Sequence, residues 1–527
     1  MTEEASPAKA PWPIALAVGV AVFMVVLDTT VANVSLPYIA GNLGATIDES
    51  TWILTSFIVA NAIILPLAGY MSAIFGRKNF YMASVVIFTV ASVLCGLSPT
   101  LGWLIFFRIL QGLGGGALQP VSQAILVEAF PEESRGMAMA LMGVSAVFAP
   151  AIGPVLGGWI TDNYSWHWIF FINLPMGILS FILVARMIHD PPDFKRIVRG
   201  SGVRFDYIGI GLITLALGAL EIALDEGQRR DWFSSDLIVA CTVIGVIALI
   251  SVIFYELRQE NPVIDLRLLK DRNFAVATLL LYVLGFVLFG CLSLLPIFLQ
   301  TLLGYTAIQT GLVLSPGGFA ILVMMPIVAI IMKWVDHRLI IAVGYFFCAA
   351  GLFWMASFNL QIDYQTAMLA RLLQSFGLAF LFVPINVMAF RNVPPDKTGY
   401  ASGFLNLVRN YGGSTGIALV TTMLSRRTQL HQVNLVGHIS YVNPIYREFM
   451  ARGNGLMIAH GASSADAAHK VPALAYHMVM RQAGMLSFAD VFWMMGVLSL
   501  ASIPLLLLIQ NSAPQKAASS PAPMIVD

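Results

Sequence analysis

Apolar runs long enough to cross a lipid bilayer recur along the whole chain, and they limit the folds open to it. About 20 apolar residues in a helix span the ~30 Å hydrocarbon core of a membrane. The runs are continuously apolar instead of alternating, which favours helices over a β-barrel. We therefore expect an all-α polytopic membrane protein with fourteen spans, near 14–38, 50–74, 79–98, 101–126, 137–161, 167–188, 206–225, 236–257, 273–299, 308–333, 338–358, 364–390, 399–424 and 486–510.

The composition agrees with a surface that mostly faces lipid. Only 11% of the residues are charged and 58% are hydrophobic, whereas a soluble protein carries about 25% charge. The net charge of +1 leaves no basic footprint for a nucleic acid. The four cysteines lie far apart in apolar spans without a CxxC pair, so neither a disulfide nor a metal site is predicted. The first span lacks a signal peptide's basic start and cleavage site, so it is expected to remain in the protein.

The distribution of Lys and Arg predicts the orientation of the spans. If the N-terminus is cytoplasmic, the short outer loops hold only Arg229 and Arg230, and the inner segments hold most of the other basic residues. This is the positive-inside pattern, and it predicts that both termini are cytoplasmic. The segment 425–485 then lies outside, and it is too long for the charge rule to govern it.

An internal repeat divides the chain. Arg108 and Gln111 in the fourth span recur 263 residues later as Arg371 and Gln374. Two six-helix halves of a transporter produce such a parallel repeat, with the substrate site between them near the midplane. The offset exceeds six spans, so the seventh and eighth spans are predicted to be an inserted pair. The expected organisation is a cytoplasmic N-terminus 1–13, a six-helix bundle 14–188, a cytoplasmic linker 189–205, the inserted pair 206–257, a second linker 258–272, a six-helix bundle 273–510 with a periplasmic loop 425–485, and a cytoplasmic tail 511–527.

Charged side chains inside apolar spans are the first functional candidates. Asp28 lies within the first span, where a carboxylate costs about 2.5–3.5 kcal/mol on insertion scales. Burial disfavours its charged form, so we expect Asp28 to bind a proton; the alternative is a structural acid paired with a neighbouring helix. Arg108 is expected either to respond to the charge on Asp28 or to act as a permanent strut.

Other polar residues are candidates for the wall of a central cavity: Asn33, Gln111, Arg371, Gln374 and Arg409. Asn33 either shares a polar face with Asp28 or stitches helices together, and the two second-half arginines are equally consistent with structural roles. Glu221 and Asp225, near the end of the seventh span, are expected to form a solvated helix end instead of a second acidic site.

Small residues line one face of the fifth span. Ala149, Gly153 and Gly157 are four residues apart, with Pro154 and Gly158 beside them. This spacing allows close helix approach, and the proline can bend the helix. We expect tight packing here that also controls which side of the membrane the cavity opens to.

The remaining patterns concern the inner surface and the energy source. Gly69, Gly76, Arg77 and Lys78 mark a short cytoplasmic turn between the second and third spans. The chain lacks GxxxxGK[ST], and no histidine lies deep in a span, so no ATP site, haem, other cofactor or metal is expected. The energy for transport must then come from an ion gradient or from the gradient of the solute. A proton crossing ~100 mV gains about 2.3 kcal/mol.

These residues together resemble the major facilitator superfamily, and specifically its 14-span drug:proton antiporters of the EmrB/QacA type. The resemblance covers nearly the whole chain. Its motifs are Leu27-Asp28-x-Thr30-Val31-x-Asn33-Val34-x-Leu36-Pro37, Arg108-x-x-Gln111-Gly112-x-Gly114, Gly153-Pro154-x-x-Gly157-Gly158, Trp166-His-Trp168-Ile-Phe170-Phe-Ile-Asn173-Leu-Pro175-Met-Gly177, Asp206-Tyr-Ile-Gly209 and Leu295-Pro296-x-x-x-Gln300.

The resemblance implies a function. It implies a proton-coupled multidrug exporter and not an enzyme, in which Arg108 takes part in proton coupling and the Gly153 motif separates exporters from importers. Ala73 and Ile74 stand where the family normally has an Asp and an Arg, so Arg77 and Lys78 are expected to have different partners from those in the family. The expected ligands are hydrophobic or amphipathic drug-like molecules, protons and membrane lipids.

The segment 425–485 resembles the EmrB branch of Gram-negative bacteria. That likeness implies a bacterial inner-membrane location and a periplasmic adaptor with an outer-membrane channel as partners, although a self-folded cap suits the length equally. Two other functions remain open from the residues. One is a dedicated exporter of a single metabolite, such as a siderophore or a fatty acid, and the other is a non-transporting membrane sensor or scaffold.

Overall fold

The computed structural model describes residues 12–188, 206–260 and 262–510. The described residues form helices, turns and connections and contain no strand. Fifteen of their helices are longer than ten residues: α1 (Trp12–Leu43), α2 (Trp52–Phe75), α3 (Arg77–Gly96), α4 (Leu101–Ala129), α5 (Glu132–Asn163), α6 (Asn173–Met187), α7 (Tyr207–Gly227), α8 (Asp236–Glu256), α9 (Arg272–Thr301), α10 (Ala307–Ile331), α11 (His337–Ala356), α12 (Tyr364–Phe390), α13 (Thr398–Val436), α14 (Pro444–Ala459) and α15 (Ser464–Ala501).

The helices coincide with the predicted spans. Each of the fourteen spans falls on one of α1–α13 or on α15, with a four-residue helix, Trp168–Phe171, preceding α6. Twelve helical segments among the described residues are long and apolar enough to cross a membrane. The crossing of the other two, α5 and α13, stays a prediction. The predicted linker 189–205, the tail 511–527 and residues 1–11 lie outside the described residues.

The two halves repeat one packing scheme. In the first half, α1 packs on α5, α2 on α4, and α3 on both α4 and α6. In the second half, α9 packs on α13, α10 on α12, and α11 on both α12 and α15. The same pairs therefore recur in the same chain order, as a parallel repeat requires.

The halves meet closely at one end of α2 and α13, the end that is predicted to face the cytoplasm. A Cβ added to Gly69 of α2 would lie 2.6 Å from the backbone of Gly399 of α13, and one added to Gly403 would lie 2.9 Å from the carbonyl oxygen of Leu65. These separations are too short for any side chain. Glycines thus allow direct backbone contact between the halves.

A polar cluster lies beside this backbone contact. Asn406 Nδ2 donates to Gln123 Oε1 at 2.5 Å, Ser402 Oγ donates to the carbonyl oxygen of Pro120 at 2.5 Å, and Gln123 Nε2 donates to Asn386 Oδ1. Gln123 and Asn386 are 263 residues apart, which is the repeat offset. When two residues are related by the repeat and also contact each other, they must lie near the axis that relates the two halves.

The inserted pair α7 and α8 contacts both halves through α7. Asp225 of α7 accepts a hydrogen bond from Thr55 of α2, and Glu221 accepts one from Ser414 of α13. Glu221 is only 2% exposed, so the expectation of a solvated helix end is wrong for this residue. The solvated position belongs to Arg229 and Arg230, which are exposed and pair with Glu226.

The predicted loop 425–485 is helical, which sequence analysis did not foresee. Helix α13 continues past its predicted span end to Val436, and α15 begins at Ser464, well before the predicted start of the last span. The two extensions are joined by hydrogen bonds, with Gln432 Nε2 donating to the Tyr476 hydroxyl at 2.7 Å and a His431–Asp490 pair at 2.9 Å. Helix α14 packs against α15.

The contact between α2 and α13 predicts a specific crosslink. A Cβ at Gly399 would lie 3.6 Å from Ser72 Oγ, so the sulfur of a cysteine at position 72 would lie within reach of one at position 399. Oxidation of a Ser72→Cys/Gly399→Cys variant should therefore crosslink the halves, as seen by protection of both thiols from maleimide labelling. Ser72→Cys/Arg426→Cys is the control, because Arg426 is exposed and lies ~40 Å further along α13. Equal protection from maleimide in both double variants would contradict the close contact between α2 and α13.

Candidate functional site

Asp28 is the centre of a buried hydrogen-bond network. Arg108 Nη1 donates to Asp28 Oδ2 at 2.6 Å, and Gln111 Nε2 donates to Asp28 Oδ1 at 2.9 Å. Asn173 Nδ2 also donates to Oδ1, at 2.6 Å. Asp28 is 2% exposed and Arg108 is fully buried. One carboxyl group thus joins α1, α4 and α6.

The network extends to α3 and α2. Asn173 Nδ2 reaches Ser92 Oγ of α3 at 2.9 Å, and Arg108 Nε donates to the carbonyl oxygen of Ile53 of α2 at 3.0 Å. The guanidinium carbon of Arg108 lies 4.2 Å from the centre of the Phe57 ring, a cation–π geometry. Five helices of the first half are therefore tied to one ion pair.

The partners of Asp28 have a direct chemical consequence. All three side chains that contact it donate hydrogen bonds, one to Oδ2 and two to Oδ1. A proton on Asp28 would remove the negative charge that holds the Arg108 guanidinium, so protonation and helix arrangement are linked. Removal of one partner from a buried ion pair costs about 3–5 kcal/mol, because the other charge is left uncompensated.

Of the cavity candidates, Gln111 joins this network and Asn33 does not. Besides Asp28, Gln111 accepts from Arg108 Nη1 at 2.9 Å. Asn33 lies on α1 and is exposed. Five residues correspond to about 140° around a helix, so Asn33 does not share the face of Asp28.

The small-residue face of α5 packs on α1, the helix that carries Asp28. A Cβ added to Gly153 would overlap Thr30 Oγ1, and one added to Gly157 would lie 3.0 Å from Val31. Ala149 is fully buried, and Pro154 lies within the same helix. A Cβ on Gly158 would lie 4.0 Å from Val34, an ordinary contact. The closest approach of α5 to α1 is therefore within one helical turn of Asp28.

The turn between α2 and α3 is held by contacts within the first half. Gly76 has φ of +86°, a conformation that favours glycine. Arg77 is buried and forms an ion pair with Glu128 of α4, and Lys78 Nζ donates to the carbonyl oxygen of Ala185 at 2.6 Å. Both basic residues thus have partners outside the turn itself.

The second half keeps the arginine and glutamine of the repeat without the acid. Arg371 Nη1 donates to Gln374 Oε1, as Arg108 does to Gln111, and lies 3.7 Å from Cys291 Sγ. Cys291 precedes Arg371 by 80 residues, the separation between Asp28 and Arg108. Arg409 is buried and stacks on Phe382 at 5.6 Å. Neither second-half arginine forms an ion pair with a described residue.

Sequence analysis missed three members of the site. Asn173 was part of a quoted motif but had no assigned role, and Ser92 was not singled out. A polar residue within an apolar span was the available signal for both of them. No role is predicted for Cys291 from the sequence, although the repeat offset applied to Asp28 leads to it.

Comparisons with known proteins agree with this architecture. Residues 18–417 match the Major Facilitator Superfamily. The multidrug export protein EmrB of Escherichia coli strain K12 is 35% identical over 480 residues, which are 91% of each chain. The fatty acid resistance protein FarB of Neisseria gonorrhoeae is 38% identical over 429 residues, 81% of this chain and 83% of FarB. The structure of the proton:xylose symporter XylE is similar with a TM-score of 0.58 at 14% identity, over 94% of this chain and 95% of XylE.

Two repeated helical bundles, the first of which encloses a buried ion pair, define a multi-pass membrane transport protein. The chain belongs to the major facilitator superfamily. The likeness to XylE concerns the fold alone.

The two glycines of the α5 face should differ in their tolerance of a methyl group. Gly153→Ala places a Cβ against Thr30 and forces α1 from α5, which typically costs about 1–3 kcal/mol. The Cβ of Gly158→Ala makes only an ordinary contact with Val34, at 4.0 Å. We expect Gly153→Ala to lower the thermal unfolding temperature of the purified protein by several degrees and Gly158→Ala to change it little. Equal unfolding temperatures for the two variants would show that the close packing of α5 against α1 does not limit the stability of the protein.

Proposed function

We propose that the protein is a proton-coupled exporter of hydrophobic or amphipathic drug-like molecules in the bacterial inner membrane. The proposal includes fourteen spans, both termini in the cytoplasm, and a cavity between the halves that opens alternately to each side. The name of the E. coli relative supports multidrug export. The observation that carries the proposal is the fully buried Asp28–Arg108 pair.

Protonation of Asp28 is the proposed coupling step. A neutral Asp28 no longer attracts the Arg108 guanidinium with a full charge, and the hydrogen bonds from its three donors weaken. Because those donors belong to α4 and α6, the loss of the ion pair changes how α1 packs against both helices. Helix α1 also packs on α5 through Gly153 and Gly157. In this mechanism the proton on Asp28 biases the α1–α5 contact and thereby the side to which the cavity opens.

The cavity residues have proposed supporting roles. Gln111 positions the carboxylate of Asp28 and shares the Arg108 guanidinium. Asn33 is exposed on α1 and is proposed to contact cargo. Arg409, Arg371 and Gln374 are the polar groups that the second half contributes. The proposed cytoplasmic gate contains Gly69 of α2 and the turn at Gly76, which Arg77 and Lys78 hold in place.

The outer helical segment is the proposed docking site for a periplasmic adaptor, which would connect to an outer-membrane channel. Exposed apolar side chains near the turn between α13 and α14 support this proposal: Val433, Tyr441, Val442 and Ile445. Apolar side chains exposed together mark protein contact sites.

A dedicated exporter of one metabolite is the second candidate. A fatty acid is the favoured cargo in that case, because a relative at 38% identity is named as a fatty acid resistance protein. The two candidates share the same coupling machinery and differ only in the range of cargo.

The proposal is tested by proton movement in liposomes. Liposomes that contain the purified protein should show proton movement across their membrane when a drug is added. We expect this for several cationic and uncoupler-like compounds. Asp28→Asn should reduce this signal to that of protein-free liposomes, because the amide cannot take up a proton. Asp28→Glu should retain part of the signal.

The matched control is Asp363→Asn, which changes an exposed acid at the start of α12 and should leave transport intact. Size-exclusion profiles show whether each variant is folded. Full transport by a folded Asp28→Asn protein would overturn the coupling mechanism. Movement of a fatty acid alone would support the second candidate.

A further inference from the structure

Arg371 is a buried cation in a half that offers it no carboxylate. Its side chain is 3% exposed. Helices α9 to α13 contain no Asp or Glu at all. The acid of α15 within the predicted last span is Asp490, which faces Arg427 at 3.7 Å and His431 at 2.9 Å. An uncompensated charge inside a membrane protein is strongly unfavourable, so a negative partner is expected from outside these helices.

Three hydrogen-bond donors at this place have no acceptor among the described residues. They are Arg371 Nε, Gln374 Nε2 and Ser375 Oγ. Gln374 and Ser375 are fully buried. All three side chains lie within about one turn of α12, since they are three and four residues apart. Buried donors are almost always satisfied, so three together indicate a bound acceptor.

The first half shows what normally fills this role. There the Arg108 Nε reaches the carbonyl oxygen of Ile53, and Asp28 accepts from both Arg108 and Gln111. In the second half, Cys291 occupies the position of Asp28 and lies 3.1 Å from Gln374 Oε1. A thiol brings no negative charge, so the repeat has kept the donors and lost the acceptor.

We propose that Arg371, Gln374 and Ser375 bind a small monovalent anion, such as chloride, which replaces the carboxylate of the first half. The anion balances the guanidinium charge and accepts from the three unpaired donors. A carboxylate at the end of a cargo molecule has the same chemistry, and the burial of the site favours the smaller inorganic ion.

Thermal unfolding of the full-length protein in detergent tests the proposal. Wild type transferred from gluconate to chloride buffer should unfold at a temperature higher by several degrees, since a ligand that binds only the folded state stabilises it. Cys291→Asp should remove this dependence, because the new carboxylate supplies the charge in the same place as Asp28. Cys291→Ser, which is similar in size and neutral, should keep it. Arg371→Gln should also abolish it.

A direct measurement covers the case in which a variant fails to fold. Radioactive chloride should bind to wild type in equilibrium dialysis with a stoichiometry near one and be displaced by bromide. Stabilisation by octanoate and not by chloride would assign the anion to a cargo carboxylate. An unfolding temperature that no anion changes, together with no bound chloride, would overturn the proposal.

Discussion

A carboxylate and a guanidinium that are both removed from water organise the first half of this protein. Each ion alone would be too unfavourable in a low-dielectric interior, so each must be met by the other and by further donors. Asp28 and Arg108 meet that requirement with Gln111 and Asn173, which come from different helices. The positions of α1, α4 and α6 are therefore interdependent, and a change of charge on Asp28 must be transmitted to all of them.

The helices pack closely at each contact where motion is proposed. Gly153 and Gly157 bring α5 against α1, and Gly69 and Gly399 bring the halves together. Small residues remove side-chain bulk and allow backbones to touch, which in a membrane depends on van der Waals contact more than on the hydrophobic effect. The ion pair and the contacts of Gly153 and Gly157 share α1, so electrostatic and steric control act on the same helix.

The two halves share a scaffold but differ in charge. Arg371 and Gln374 repeat the geometry of Arg108 and Gln111, whereas Cys291 replaces the acid. The first half thus has a carboxyl group at this position and the second half has none. Helix α7 joins the two, because its Asp225 binds α2 and its buried Glu221 binds α13. The two halves therefore share one helical arrangement but carry different charged groups.

The apolar runs of the sequence determined the order and the approximate limits of fourteen of the fifteen long helices, since every backbone polar group in lipid must be satisfied within its own helix. The repeat and the charged residues inside spans also predicted two halves and the importance of Asp28 and Arg108. Only the tertiary structure decided that Asn173, 145 residues from Asp28, completes its shell, that Asn33 faces away, and that Glu221 is buried. It also decided that residues 425–485 continue the helices. Those outcomes depend on how each helix is rotated against its neighbours, and local sequence does not contain that information.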